Sequence, residues 1–426
     1  MHFSLKNKLR SELVRNSARL LSANVVAQAI GLLVYPILTR MYAPDDFGLL
    51  NLFMSIGGIF VLISTADYQN AIVLPKEESR ARALVQLCGC LLLAMVVVLV
   101  LSIPFSNPIA RLFKAPELAR WWWLMPLYVA GLSAWAILSN YYIRRKSFRR
   151  MSVYQMSQSI LNAGGKLGFG ALGFLSGGML VSSVLAPVLA IFVSLFKGGK
   201  ALLSDLFRID KPALHAESRA YRNFPLYSMP RSLVNILSGN LPFLLLTPLF
   251  GLTELGYFGM AFTLSFRPIQ IIVQSIYQVL FQRTAQYVNT KQKIGKLLFS
   301  YSAAILIILT PLFAGLYFIL PWLTEMLLGN SWQVCGKYIR LLLPWLVMIT
   351  AVSPIGFVSD VFGKQKIAFV LEIIYLLLRI GVLMLGMWLH DFPVTILLYS
   401  AVGTLMILVQ WIWYTGLIRT YDRTIA

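Results

Sequence analysis

Residues 38–48 read Leu38-Thr39-Arg40-Met41-Tyr42-Ala43-Pro44-Asp45-Asp46-Phe47-Gly48. They join two apolar runs, at about 17–40 and 47–66, through a short acidic turn. Each run is near the roughly 20 residues that an α-helix needs to cross a bilayer. A helix satisfies its own backbone hydrogen bonds in lipid, so such runs read as membrane helices. Further runs follow at about 82–104, 119–143, 152–172 and 176–196, then at 225–251, 254–280, 297–321, 336–359, 366–389 and 393–418. The expected fold is therefore an all-α integral membrane protein of about twelve transmembrane helices.

Composition points the same way. The 426 residues are 58% hydrophobic and 12% charged, against roughly 25% charged in a soluble domain. The net charge of +21 would suggest nucleic acid in a soluble protein. Here the cations sit at the ends of the apolar runs, and no basic stripe with interleaved aromatics lies outside them, so nucleic acid is not an expected partner. Cys88 and Cys90 share one apolar run and Cys335 stands alone, which leaves no disulfide framework. His2, His215 and His390 make no metal-ligand spacing. No cofactor is expected. The first run is too long for the apolar region of a cleavable signal and reads as a helix that stays.

Short loops set the orientation. One set carries Lys6, Lys8, Arg10, Arg15 and Arg19, then Arg144, Arg145, Lys146, Arg149 and Arg150, then Lys197, Lys200, Arg208, Lys211, Arg219 and Arg222. The opposite set carries Asp45, Asp46, Glu254, Glu325 and Asp391, with few cations beyond Arg111, Lys114 and Arg120. This asymmetry puts both termini in the cytoplasm. Residues 1–16 read as a surface helix with Leu5, Leu9 and Leu13 on one side. Trp121–Trp123, at a helix entrance, read as an interfacial belt. Gly164, Gly165, Gly168, Gly170 and Gly173 read as close-packing positions of helix 5.

The turn at 38–48 has a counterpart. Leu246-Thr247-Pro248-Leu249-Phe250-Gly251-Leu252-Thr253-Glu254-Leu255-Gly256 follows it at a constant offset of 208, Leu246 against Leu38. Each is a helix end, a short turn with an acid, and a glycine opening the next helix. The hydrophilic stretch 197–224 falls midway, so the chain divides into an N-terminal lobe, 1–196, a cytoplasmic linker, 197–224, and a C-terminal lobe, 225–426. Six helices per lobe give both the same orientation, with a pseudo-axis along the membrane normal.

Leu38–Gly48 resembles the first-loop motif of bacterial polysaccharide exporters in the multidrug/oligosaccharidyl-lipid/polysaccharide superfamily. Gly251–Gly259 (GLTELGYFG) and Leu328-Gly329-Asn330-Ser331-Trp332 resemble further segments of that group. The resemblance implies a MATE-like fold of two pseudo-symmetric six-helix lobes around a central cavity lined largely by helices 1, 2, 7 and 8. It implies a Wzx-type flippase that moves undecaprenyl-diphosphate-linked oligosaccharide from the cytoplasmic to the periplasmic leaflet of a bacterial inner membrane. Membrane lipid and the polysaccharide polymerase machinery are the partners this would bring.

Polar side chains inside the runs supply site candidates. Helix 1 offers Asn24 and Gln28, helix 2 Asn51 and Ser55, helix 7 Asn235, and helix 8 Gln270, Gln274 and Gln278. Spacing of three or four places each set on one helix face. Arg267, Arg231, Lys166 and Arg379 lie within membrane runs, where a cation is costly unless it meets water or a partner. Guanidinium groups hold phosphate oxygens in paired hydrogen bonds, so these four are the diphosphate candidates. No GxxxxGK[ST] loop is present, and ATP hydrolysis by the chain is not expected. Glu372 and Asp67 are the candidate ion-coupling carboxylates. Glu372 and Arg379 share a face but stand about two turns apart. The competing readings are a cation-coupled multidrug antiporter, which a cationic lumen disfavours, and a membrane glycosyl polymerase, for which the short outer loops offer little acid–base chemistry.

Overall fold

The computed structural model describes residues 25–196 and 211–425. Asn24, the surface helix expected over 1–16, and Lys197, Lys200 and Arg208 lie outside the described residues. The long helices are α1 (Val25–Met41), α2 (Pro44–Ile63), α3 (Glu78–Leu101), α4 (Met125–Arg144), α5 (Phe148–Ala171) and α6 (Leu175–Leu195). After a linker helix, Lys211–Ala220, come α7 (229–250) and α8 (252–289), which Gly251 separates. The last four are α9 (Gly295–Leu328), α10 (Gln333–Val352), α11 (Gln365–Leu389) and α12 (Phe392–Ile425).

Nine helical segments among the described residues are long and apolar enough to cross a membrane. One of them, Phe224–Val288, holds both α7 and α8. α1 is shorter, and α5 carries Arg149, Arg150 and Lys166 beside Gln155, Gln158 and Asn162. With these, a long helix stands at each expected run. Several continue past the apolar stretch: α8 runs to 289 rather than 280, and α12 to Ile425 rather than 418. Apolarity marks the lipid span, whereas Gln, Arg and Ala carry a helix on into water.

The repeated turn marks a helix boundary in both places. Ala43 is extended (φ −76°, ψ 160°), Pro44 opens α2, and the Asp46 carboxylate accepts the Ala43 N–H at 2.9 Å. Proline is pre-organised for that first helical position. At the offset position Gly251 breaks the chain between α7 and α8 with φ 82° and ψ 178°, a region open essentially to glycine alone. A single residue thus ends one long helix and starts the next.

Packing divides the chain into two compact units, Met1–Pro248 and Leu249–Ala426. In the first unit Tyr68, Ile72, Leu84, Val85, Cys88, Ile137 and Tyr142 form an apolar cluster at the ends of α2, α3 and α4. The α5 glycines do different jobs. Gly165 faces Ser182 and Gly170 faces Met41 and Tyr42, Gly164 and Gly168 face open space, and Gly173 takes the turn at φ 71°. The tryptophan belt is also narrower than expected. The loop between α3 and α4 folds into two short helices, Ser106–Leu112 and Pro116–Trp121, and Trp122 is buried, donating its indole N–H to Ser102 Oγ at 2.9 Å. Of the three, Trp123 is the exposed one.

Candidate functional site

The strongest polar face lies on α8. Arg267, Gln270, Gln274 and Gln278 are all exposed and recur at intervals of three and four, which sets them in one line along the helix. On α7, Arg231 and Asn235 are exposed one turn apart. Four long polar side chains in register on a membrane helix form a face that suits water and sugar hydroxyls better than acyl chains. Gln28 on α1 and Asn51 on α2 are half-buried, and Ser55 is buried within the first unit. Lys166 is half-buried on α5, where its carbonyl accepts the Tyr42 hydroxyl at 2.6 Å, tying α5 to the end of α1. The Ser159 hydroxyl ties the same two helices through the Ala27 carbonyl at 2.6 Å.

Arg379 has a different setting from the other cations. It is 8% exposed inside the second unit, and its Nη2 donates to the Tyr375 hydroxyl at 2.6 Å. The guanidinium carbon lies 3.9 Å from the Tyr375 ring centroid, 5.0 Å from that of Tyr399 and 5.2 Å from that of Trp345. Ring faces carry negative charge density, so three rings from α10, α11 and α12 stand where water would stabilise an exposed cation. Glu372, on the same helix, is exposed.

Asp67 is 2% exposed and sits just after α2. One carboxylate oxygen accepts Asn70 Nδ2 at 2.7 Å and Gln69 Nε2 at 3.1 Å, and the other accepts the Ser228 hydroxyl. This carboxylate is held by three donors, one of them from the segment leading into α7.

Sequence reasoning did not see several of these partners. The Tyr338 hydroxyl donates to the Glu254 carboxylate, so an acid read as an orientation marker is a helix–helix contact. Arg144 and Arg145, read as topogenic charges, also bind Glu78, at 3.2 and 2.7 Å. Arg144 further donates to the carbonyls of Pro75, Lys76 and Glu77. Glu217 pairs with Arg80, a contact that nothing in the sequence around either residue signals.

The matches to known proteins follow this architecture. Residues 37–337 match the family described as "Polysaccharide biosynthesis protein". The chain belongs to that family. It is 23% identical over 316 residues to the succinoglycan biosynthesis transport protein ExoT of Rhizobium meliloti (strain 1021), a match that spans 72% of this chain and 60% of the relative's own length. Among solved structures, the lipid II flippase MurJ in an inward closed conformation superposes with a TM-score of 0.70 at 13% identity, over 95% of this chain and 90% of that one. An inward-facing multidrug resistance MATE family transporter of the MOP superfamily gives 0.64 at 16% identity, over 95% and 96%. These likenesses show the MATE-like fold. The chain is thus a multi-pass, all-α membrane protein with that fold.

Proposed function

We propose that this protein flips an undecaprenyl-diphosphate-linked oligosaccharide from the cytoplasmic to the periplasmic leaflet of a bacterial inner membrane, by alternating access, for O-antigen, capsule or exopolysaccharide assembly. The observation that carries this reading is the exposed α8 line of Arg267, Gln270, Gln274 and Gln278. A guanidinium beside a run of amides matches a ligand with a diphosphate at one end and hydroxyls along its length. Arg267 and Arg231 are the first diphosphate contacts, with Lys166 after them. Arg379 stands last, since its guanidinium is enclosed by Trp345, Tyr375 and Tyr399. Gln28, Asn51, Ser55 and Asn235 are the polar cargo-facing candidates of the first unit.

Residues 1–196 and 225–426 act as the two repeats, joined by 197–224, with both termini cytoplasmic. Glu372 and Asp67 stand as the coupling carboxylates if an ion gradient drives the cycle. Glu372 is the more accessible of the two. MurJ is by name a flippase of lipid II; it supports the present reading by fold, and the family match supports it by pathway.

The test is flipping of undecaprenyl-diphosphate-linked oligosaccharide in proteoliposomes by the wild type and by Arg267→Ala. Transport that falls at least tenfold in the variant, the equivalent of about 1.4 kcal/mol of headgroup binding, supports both cargo and site. Equal transport by both discards Arg267. Efflux of an organic cation, with no movement of any lipid-linked sugar, replaces the flippase with a multidrug antiporter.

A further inference from the structure

The turn after α2 is strained and is held from a distance. Ala66 and Asp67 have φ of 45° and 63°, in the left-handed region that side-chain-bearing residues rarely enter. Asp67 is fastened there partly by Ser228, which closes the single π turn Phe224–Ser228 in front of α7. The next residue, Tyr68, donates its hydroxyl to the Ser218 carbonyl of the linker helix at 3.0 Å. On α3, Arg80 reaches the same helix and grips Glu217 with two hydrogen bonds, at 2.6 and 3.1 Å. Tyr221 and Phe224 pack against the apolar cluster around Tyr68, Ile72 and Leu84. One short stretch, 217–228, is thus fastened to the turn after α2 and the start of α3 by three separate polar contacts.

We infer that this is a latch, which holds the leading end of α7 against the strained α2 turn and opens when α7 moves in the transport cycle. The contacts are of a kind that can be broken. The Arg80 side chain is 43% exposed and that of Glu217 8%, so water can take up the guanidinium when the pair opens. The remaining two contacts are hydroxyl hydrogen bonds. Opposing them is backbone strain at Ala66 and Asp67, which is relieved when Ser228 leaves; stored strain of this sort favours two-state behaviour. A clamp with only a structural role would have no reason to set separable polar contacts against a strained turn. The latch concerns the motion of α7 and holds whatever the cargo is.

The test measures distance without cargo. Spin labels are placed at Ser79→Cys and Leu226→Cys, both exposed positions, in chain reconstituted in nanodiscs with the native cysteines replaced. The wild type is expected to show a dominant short distance and a minor long one. Arg80→Glu, which faces Glu217 with a like charge, inverts that ratio, and Arg80→Glu combined with Glu217→Arg restores it. Ser228→Ala, which perturbs no charge, raises the long component several-fold and serves where the reversed pair folds poorly. A single short distance in the wild type that Arg80→Glu and Ser228→Ala leave in place overturns the latch. So does a long distance that appears in the variants and never in the wild type, since the contact would then be a fixed clamp. Loss of flipping in the cargo assay, with these distances as expected, would count against the proposed cargo alone.

Discussion

The Asp422 carboxylate, near the end of α12, accepts the backbone N–H groups of both Ile294 and Gly295, each at 2.9 Å. It thereby satisfies donors that the start of α9 leaves free, and it sets a negative charge at the positive end of that helix. The last turns of the chain are tied to a helix that begins more than a hundred residues earlier.

Removing that cap should be felt as stability. Asp422→Ala is expected to cost about 0.5–2 kcal/mol, read as a lower Tm of the purified protein in detergent, while Asp422→Asn retains part of the effect. A Tm unchanged in Asp422→Ala would show that water satisfies Ile294 and Gly295 equally well.

The cage around Arg379 predicts coupling between positions on different helices. In a double-mutant cycle of Arg379→Met and Trp345→Leu, the interaction energy should be about 0.5–2 kcal/mol, the range for a desolvated cation over a ring. Additive stability changes would mean that Arg379 and Trp345 are neighbours without energetic contact. Tyr375→Phe removes an acceptor from a buried guanidinium and should lower Tm by itself.

Gly251 and Gly239 make a paired test of backbone conformation. Gly251→Ala forces a side chain into a region that only glycine occupies readily, at a cost of about 1–3 kcal/mol, although no atom crowds the site. Gly239, inside α7 and equally uncrowded, should gain up to about 1 kcal/mol on change to alanine. Equal and small effects of the two substitutions would show that the positive φ of Gly251 is not what separates α7 from α8.

Arg144 separates orientation from local structure. Arg144→Lys keeps the cation that orients α4, so topology reporters on either side should be unchanged. The lysine cannot make the several directed hydrogen bonds that hold Pro75, Lys76, Glu77 and Glu78. Protease cleavage within 75–78 should therefore rise in the detergent-solubilised protein. Unchanged cleavage would leave Arg144 with a topogenic role only.

How much of the molecule is legible in its sequence differs by kind of residue. The run around Cys88 and the turn at Ala43–Pro44 can be read directly, and so can the matching break at Gly251. The face of α8 is legible too, because helical periodicity alone lines up Arg267, Gln270, Gln274 and Gln278. Arg379 is not: its position within an apolar run marks it as costly, but nothing local says whether a phosphate, water or three rings surround it. Trp122 shows the same limit, since an aromatic at a helix entrance can face the interface or, as in this protein, the core.

By itself, then, the sequence determined the placement of the helices, the repeated turn and the all-α membrane fold. Lipid imposes its demand on consecutive residues: about 20 apolar side chains in a row and a backbone bonded within the segment, both local properties. Tertiary structure alone decided what each charge does. Arg80 meets Glu217, Asp67 meets Ser228, and Asp422 meets Gly295, all across more than a hundred positions. A buried charge is stabilised only by groups within hydrogen-bonding reach, and which groups those are is settled when the helices pack.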